Sequence, residues 1–249
     1  MTPRYDQPQV ATDYERLRNR PEGVAIWCDR IGAWFEVSML QSRVLDVGSG
    51  TGIWANAIAD RFQVDVVGVE PGAGMRSVAA ERRNPLVSYV AGAAGALPLS
   101  DSAVTAGWLS TVVHHFPDLD VAAAELRRVL ATPAPLLIRN WFADRLDGIE
   151  TLEHFPSAGD RLRGWMTVSE VVDVFERHDF AFAGLERVET PGLDDYDQVL
   201  AAMPQQRNSD SLLSNLDDDV WEAGLASIRL ARDRGRHPRP LGLDLLVFH

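Results

Sequence analysis

The chain has 249 residues, of which 46% are hydrophobic and 24% are charged, and its formal net charge at pH 7 is −12. This composition is that of an ordinary globular protein and excludes a disordered or collagen-like chain. The acidic balance disfavours a nucleic-acid substrate, because phosphate backbones are bound chiefly through basic side chains. All 24 basic residues are arginines, which excludes a lysine-dependent phosphate loop or Schiff base. The single cysteine, Cys28, excludes an internal disulfide and a zinc site built on paired cysteines.

Two further features of the sequence concern its class and location. The length fits one or two domains, and no internal repeat points to a solenoid. The sequence shows neither the short apolar segment of a secretory signal nor an uninterrupted apolar stretch of about 20 residues. We therefore predict a soluble, cytoplasmic protein with no membrane partner.

The first helical pattern covers residues 10–39, where Pro21 and Gly23 divide it into two helices. Short apolar runs then alternate with helical patterns as far as residue 141. Strands are predicted at 44–47, 64–69, 87–90, 104–109 and 136–141, and helices at 53–58, 75–83 and 119–130. Short buried strands that alternate with helices are typical of a parallel sheet covered on both faces.

The pattern is looser after Trp141. Thr167 and Glu170 have the spacing of a capping box, which predicts a helix that ends near His178. A strand at 180–189, helices at 195–203 and 216–232, and an antiparallel last strand at 241–248 complete the prediction. With right-handed crossovers, these elements give an α/β doubly wound fold with a seven-stranded, mostly parallel sheet. We predict a helical cap at 1–40, a core at 41–190, a helical insertion at 191–238 and a last core strand at 239–249.

The strongest functional signal is the segment Val44-Leu-Asp-Val-Gly-Ser-Gly-Thr-Gly52. A buried strand ends there, the glycines let main-chain amides approach a ligand closely, and a helix begins. Glu70 follows the next strand, where a carboxylate can accept hydrogen bonds from both hydroxyls of a ribose. The fingerprint of nicotinamide dinucleotide sites needs a third small residue where this chain has Ile53, so that type of site is disfavoured.

Five segments, in order, resemble the motifs of class I (Rossmann-like) S-adenosylmethionine-dependent methyltransferases. The segments are Leu45–Gly52, Val67–Met75, Gly92–Pro98, Leu109–Pro117 and Glu125–Leu130. The similarity is greatest to the small-molecule group that includes quinone-biosynthesis and natural-product methyltransferases. It implies that the cofactor is S-adenosylmethionine, that the product is S-adenosylhomocysteine, and that 41–190 is the cofactor-binding core. It also implies an N-terminal helical lid and a helical insertion over the acceptor.

The resemblance further implies a set of cofactor-binding residues. Glu70 is expected at the ribose, Met75 over the adenine, and Arg18 at the methionine carboxylate. One departure weakens the adenine site, because Ala93 and Gly95 stand where the family usually has acidic residues. The full set of cofactor-binding residues is Asp46, Gly48, Ser49, Gly50, Glu70, Pro71, Met75, Ala93, Ala94, Ser110 and Arg18.

Candidates for the chemistry follow the fourth and fifth strands. His114 and His115 are the first choices for a general base, although either can instead cap or support the next helix. His154 is a further candidate, with a solvated loop histidine as the alternative. Tyr14, Trp108 and Trp141 are candidates for an acceptor pocket, with packing in the core as the alternative for the tryptophans.

Two kinds of function remain open from the sequence. In the first, the methyl group of S-adenosylmethionine is transferred to an O, N or C nucleophile of a small-molecule acceptor. In the second, a protein of this fold binds the cofactor without methylating, in a cyclase or binding role. We expect no metal and no nucleic-acid partner, because metal-ligand clusters and the Pro-Pro-aromatic motif of nucleic-acid amino-methyltransferases are lacking in the sequence.

Overall fold

The computed structural model describes residues 8–35 and 43–249. Its strands are β1 (Arg43–Val47), β2 (Asp65–Val69), β3 (Val87–Val90), β4 (Ala106–Ser110), β5 (Leu136–Asn140), β6 (Phe182–Thr190) and β7 (Leu241–Phe248). They form a seven-stranded sheet of order β3-β2-β1-β4-β5-β7-β6. The pairs among β1 to β5 are parallel, and β7 is antiparallel to β5 and β6. The predicted doubly wound α/β fold with an antiparallel last strand is confirmed.

The helices are close to the predicted ones as far as β5. They are α1 (Pro8–Arg18), α2 (Pro21–Gly32), α3 (Ile53–Phe62), α4 (Ala73–Ala80), α5 (Leu119–Val129), α6 (Glu150–His154), α7 (Pro156–Arg163), α8 (Val168–Arg177), α9 (Tyr196–Ser209) and α10 (Asp218–Asp233). The predicted helical pattern at 10–39 is too long, because α2 ends at Gly32, and residues 36–39 lie outside the described ranges. Within those ranges, no helix is both long and apolar enough to span a membrane.

The region after β5 contains two helices that the sequence did not predict. α6 has only five residues, which is too short for a periodic apolar pattern, and Pro156 begins α7 at its first turn. α8 begins with the predicted capping box, in which Thr167 and Glu170 satisfy each other's main-chain amides. α9 and α10 come between β6 and β7 in the chain, and α1 packs against α9.

Both faces of the sheet are covered, which explains why the central strands are mostly apolar. Every residue of β4 and β5 is buried. One face packs Leu137 with Trp27 of α2 and Ala55 of α3, and the other packs Ile138 with Leu126 of α5. β1 lies between β2 and β4, so the chain leaves β1 in one direction and returns on its other side. The carboxyl ends of β1 and β4 therefore open a crevice, which is the usual ligand position in such sheets.

Candidate active site

A cavity of about 390 Å³ lies at this crevice, at the carboxyl ends of β1, β2 and β4. All of the sequence segments that carry a predicted cofactor motif, apart from the helix α5, reach it. Thirteen of the predicted site residues line it: Tyr14, Arg18, Gly48, Gly50, Glu70, Pro71, Met75, Ala93, Ala94, Ser110, His114, His115 and Trp141. The fold therefore brings together residues that are as far apart as α1 and the end of β5.

The turn after β1 is built from glycines in a conformation that other residues rarely adopt. Gly48 has φ 68° and Gly50 has φ 54°. The amide of Gly48 donates to the carbonyl of Val69 at 2.8 Å, which ties the turn to β2. A side chain on Gly48 would collide with Val112, so the main chain itself forms the wall of the cavity.

Glu70 lies at the end of β2, and its carboxylate is held against the glycine turn. Its Oε2 accepts from the amide of Gly50 at 3.1 Å, and its Oε1 accepts from the amide of Gly72 at 2.7 Å. Glu70 is only 5% exposed, although it lines the cavity. A carboxylate fixed in this way is oriented before a ligand arrives and can accept hydrogen bonds from ligand hydroxyl groups.

Two predicted cofactor residues lie outside the cavity lining. Asp46 is buried next to α3, where the amide of Ala55 donates to its carboxylate. Burial, and secondarily the charge of Glu70, raises the pKa of Asp46 to about 8. Ser49 is buried against Gly68 of β2. Neither side chain is exposed to the cavity, and the prediction that these two residues bind the cofactor stays a prediction. They lie beneath the turn and support it.

The third motif forms the side of the cavity where the family resemblance places the adenine. Met75 is buried and lines the cavity together with Ala93 and Ala94. Asp118 also lines the cavity, but its Oδ1 is engaged as the N-cap of α5, where it accepts from the amide of Val121. The third motif, Gly92–Pro98, therefore offers no acidic side chain in place of those that the family usually has at positions 93 and 95.

His114 has a defined tautomer, which is set by Asn140. The side-chain amide of Asn140 donates to the carbonyl of Trp141 at 2.7 Å, so its oxygen faces His114. That oxygen lies 3.3 Å from Nδ1 of His114, which must therefore carry the proton. Nε2 is left unprotonated, and it has no hydrogen-bond partner among the residues that the structure describes.

The electrostatic surroundings keep His114 neutral. Burial, and secondarily the neighbouring His115, lowers the pKa of His114 well below 6.5. Its ring stacks on Trp165 with a centroid distance of 3.6 Å and an interplanar angle of 8°, which fixes the ring plane. Burial also lowers the pKa of His115. His114 is consequently a neutral base at physiological pH, with one free lone pair beside the cavity. Asn140 and Trp165 were not predicted from the sequence.

α1 closes one side of the cavity through Tyr14 and Arg18. Arg18 forms an ion pair of 2.8 Å with Asp210, which follows α9. The Arg18 guanidinium also lies 5.7 Å from the centre of the Tyr14 ring. The ion pair thus joins the N-terminal helix to the insertion over the cavity, and it occupies the arginine that was predicted to bind the methionine carboxylate.

A second cavity of about 300 Å³ lies beside the first, and Arg18, Trp141, Ser209 and Asp210 line both. His154 lines only the second cavity, where its Nδ1 lies 2.9 Å from Oγ of Ser227. The structure does not bring His154 to His114, and the prediction of His154 as a base in the same site is wrong. The reason is the unpredicted helix α6, which buries His154 against α10.

Trp108 was predicted to line an acceptor pocket, and this prediction is also wrong. Its side chain is 0% exposed and packs edge-on against Trp54 at a centroid distance of 5.4 Å. Trp141 does line both cavities, and its indole donates to the carbonyl of Gly242 at 2.8 Å. No group of three or more potential metal ligands is found in residues 8–35 and 43–249.

Comparison with known proteins agrees with this geometry. Residues 45–138 match the family model of a methyltransferase domain. This match and the fold agree with the resemblance to class I, Rossmann-like S-adenosylmethionine-dependent methyltransferases, and S-adenosylmethionine is the cofactor of that class. The residues of the cavity fit this cofactor, because a fixed, buried carboxylate and an open main-chain turn face the same space.

Two curated proteins are similar in sequence. Demethylmenaquinone methyltransferase of Renibacterium salmoninarum is 30% identical over 138 residues, which cover 55% of this chain and only 54% of that protein. Malonyl-[acyl-carrier protein] O-methyltransferase of Nitrosospira multiformis is 25% identical over 230 residues, which cover 80% of this chain and 72% of that protein.

Solved structures share the fold at lower identity. A candidate methyltransferase from an antibiotic biosynthesis pathway of Anabaena variabilis has a TM-score of 0.68 and 18% identity, with 96% of each chain covered. Geranyl diphosphate C-methyltransferase from Streptomyces coelicolor, solved with S-adenosylhomocysteine, has a TM-score of 0.57 and 15% identity, with 90% of this chain and 76% of that chain covered.

Proposed function

We propose that the protein transfers the methyl group of S-adenosylmethionine to an O, N or C nucleophile of a small-molecule acceptor. One observation carries the proposal: a single cavity is lined by the fixed carboxylate of Glu70, by the open turn at Gly48 and by His114, whose Nδ1 is held by Asn140. A nucleoside-binding side and a base therefore face one another across the same space.

S-adenosylmethionine supplies a methyl group that is already activated by its bond to a sulfonium. The work left for the chain is to bind, to orient and to remove a proton. Glu70 is the acceptor for the ribose hydroxyls, and Met75, Ala93 and Ala94 frame the base. Holding two reactants in line is worth about 7–11 kcal/mol in well-oriented reactions, so positioning supplies much of the rate.

His114 is the general base of this proposal. Nε2 accepts the proton that an O–H or N–H nucleophile loses, and the positive charge that forms on the ring is stabilised by the Asn140 oxygen at Nδ1. His114 is preferred to His115 because the side chain of Asn140 fixes the tautomer of His114. Asn140 is accordingly a positioning residue and does not touch the acceptor.

The second cavity is the proposed site for the distal part of the acceptor. It adjoins the first across Trp141 and the Arg18–Asp210 ion pair, and apolar side chains such as Phe155, Met203 and Ile228 line much of it. The proteins compared above are named for demethylmenaquinone, malonyl-[acyl-carrier protein] and geranyl diphosphate, and the first and the third of these support a small organic acceptor. We further propose a secondary-metabolite acceptor and a cytoplasmic location, with α1 and the insertion at 191–238 as lids over the core.

The alternative is a protein of this fold that binds the cofactor without methylating. The absence of an acidic side chain at positions 93 and 95 favours it, because the adenine amino group then lacks a charge-assisted partner. The two functions make the same prediction for cofactor binding and differ only in turnover.

A thermal-shift panel tests the cofactor, and a turnover assay separates the two functions. S-adenosylmethionine and S-adenosylhomocysteine at about 100 times their Kd should raise the Tm by about 5–11 °C, whereas NADH and NADPH should not. Formation of S-adenosylhomocysteine is then followed over a panel of phenols, hydroxyquinones, amines and carboxylic acids. A Tm response to the nicotinamide dinucleotides alone overturns the proposal, and binding without turnover on any acceptor that binds supports the alternative.

A further inference from the structure

Arg139 is a buried charge in the centre of the sheet. It lies on β5 opposite Ser110 of β4, and it is only 8% exposed. Its guanidinium is held between two indole rings, 4.8 Å from the centre of Trp27 and 5.1 Å from that of Trp54. The aromatic faces and the position in the sheet fix the guanidinium plane, so the charge cannot move out to water.

The charge of Arg139 has no carboxylate partner in the part of the chain that the structure describes. Nη1 donates to Oγ of Ser110 at 2.9 Å, and Nε is buried without a hydrogen bond. Asp244 shows the usual arrangement, because that buried carboxylate is paired with Arg145 at 3.0 Å and with Arg187 at 3.1 Å. A buried charge that lacks a partner is unfavourable unless a ligand supplies the counter-charge.

The hydrogen bond between the two side chains directs Ser110 towards the cavity. Because Oγ accepts from Arg139, the single O–H of Ser110 is left to donate elsewhere. Ser110 lines the larger cavity, and the preceding residue, Leu109, pairs with Val47 just before the turn at Gly48. The donor at Ser110 and the positive charge behind it therefore lie beside the glycine turn after β1, on the side of the cavity away from the third motif, and the proposed function leaves this place to the amino-acid part of the cofactor.

Arg18 is the other arginine on this side of the cavity, and it is engaged by Asp210 at 2.8 Å. Tyr14 and Arg18 are close enough to influence the pKa of Arg139, which burial lowers to about 9. The guanidinium is still charged at pH 7. Arg139 is thus a fixed cation. The charge of Arg18, in contrast, is partly neutralised by Asp210.

We propose that Arg139 and Ser110 form the receptor for the α-carboxylate of S-adenosylmethionine, in which Ser110 donates its hydroxyl proton to the carboxylate and Arg139 supplies the opposite charge. This inference rests on the proposed function, since it assigns part of the cofactor to these residues. The same oxyanion chemistry could be presented by an acceptor, and the experiment below distinguishes the two sources.

Isothermal titration with S-adenosylmethionine and with decarboxylated S-adenosylmethionine measures how much the α-carboxylate contributes to binding. In the parent protein, removal of the carboxylate should weaken binding at least tenfold. In Arg139→Met, which fills the space between the indole rings without charge, the two ligands should bind within about threefold of each other. Ser110→Ala should reduce the ratio about fivefold, and Arg139→Lys should restore part of it. Arg61→Met, an exposed arginine of α3, is the matched control and should keep the parent ratio.

A second readout covers the chance that Arg139→Met disturbs the fold. Removing an unpaired buried charge should leave the Tm of the ligand-free protein equal or higher, while the Tm rise given by S-adenosylmethionine falls. If Arg139→Met and Ser110→Ala both keep the parent's ratio of the two Kd values, the inference is overturned. Arg139 and Ser110 are then assigned to an anionic group of the acceptor. If the parent binds neither ligand, the proposed function itself fails.

Discussion

The two walls of the larger cavity are built in different ways. The first wall follows β1, β2 and β3, where main chain and small side chains predominate and Glu70 is the one charged group among the residues that line it. These residues are Gly48, Gly50, Glu70, Pro71, Met75 and 92–95. The second wall follows β4 and β5 and comprises 110–112, 114–118 and Trp141, and the polar side chains of Ser110 and His114, for which we propose roles, belong to it.

The difference explains which parts of the site a sequence reveals. Main-chain walls need glycines at fixed spacing, so their residue types are visible in a short segment. Side-chain walls depend on partners from other elements: His114 is fixed by Asn140 of β5, and Ser110 by Arg139. The first wall thus suits a ligand common to many proteins, and the second is where one acceptor is distinguished from another.

Replacement of His114 should have the largest effect and should spare the first wall. His114→Gln removes the unprotonated Nε2, so the rate of methyl transfer to an O–H or N–H acceptor should fall by about 10²–10⁴. The Kd of S-adenosylhomocysteine should change less than threefold. Steady-state kinetics and isothermal titration measure the two effects, and His115→Gln is the matched control. Equal losses in both variants would contradict the assignment of His114 as base.

Replacement of Asn140 tests whether the tautomer of His114 affects the rate of methyl transfer. In Asn140→Leu, Nδ1 loses its acceptor, and kcat should fall by about tenfold, which corresponds to ~1.4 kcal/mol. Nitrogen-15 shifts of His114 should show Nδ1–H in the parent and a mixture of tautomers in the variant.

The pH profile of a second Asn140 variant gives the sign of the effect. The pKa of His114 lies well below 6.5, so the parent should lose activity only when the pH falls through that lowered value. In Asn140→Asp, a carboxylate stabilises the imidazolium, and the acidic limb should move to higher pH. An unshifted limb would show that His114 does not titrate in the rate-limiting step.

Binding at the first wall can be strengthened at position 93, where the predicted adenine site lacks a carboxylate. Ala93 is exposed to the cavity, and Ala93→Asp restores a carboxylate where the family usually has one. S-adenosylhomocysteine should then bind up to about tenfold more tightly, because a charge-assisted hydrogen bond is worth ~1.5–3 kcal/mol before the cost of ordering the side chain. Titration of the variant beside Ala91→Asp, at an exposed position outside the cavity lining, measures the gain. No gain would mean that the adenine is not at position 93.

The last prediction concerns stability and not binding. The pKa of Asp46 is raised to about 8 in the folded protein, above its value in the unfolded chain. The protonated form is therefore favoured by folding, and this contribution to the free energy of unfolding is lost progressively as the pH rises towards 8. Asp46→Asn, which cannot ionise, should lose less stability than the parent between pH 5 and pH 8.5 in chemical denaturation. Parallel curves would contradict the raised pKa.

Much of the fold was visible in the sequence, because the buried strands are continuous apolar runs and the helices between them are periodic. α6 was missed because five residues are too few for a period to show, and α7 because its segment is mostly polar. This omission also misplaced His154, which α6 turns away from the larger cavity. Within the site, Glu70 could be found by its spacing from the glycine turn.

Arg139 and Asn140 illustrate what the sequence did not reveal. A charged residue and an amide interrupt a strand that is otherwise apolar, and this interruption is a usable signal, since such groups are buried only with partners. The partners themselves, Ser110 and His114, become known only when β4 and β5 are aligned. Trp108 was misjudged for a related reason: it lies near the end of the strand predicted at 104–109, yet its face of the sheet is covered by Trp27 and Trp54.

The most direct test of the account is the affinity of S-adenosylhomocysteine for the parent, for Glu70→Gln and for Glu81→Gln, measured by isothermal titration. Glu70→Gln keeps the shape of the side chain and removes the negative charge of the carboxylate that is proposed to accept hydrogen bonds from the ribose hydroxyls. Glu81, an exposed residue at the end of α4, is the control. We predict binding by the parent and by Glu81→Gln, and an affinity about 100-fold lower for Glu70→Gln, equivalent to ~2.7 kcal/mol. Equal affinity in all three proteins would contradict the account.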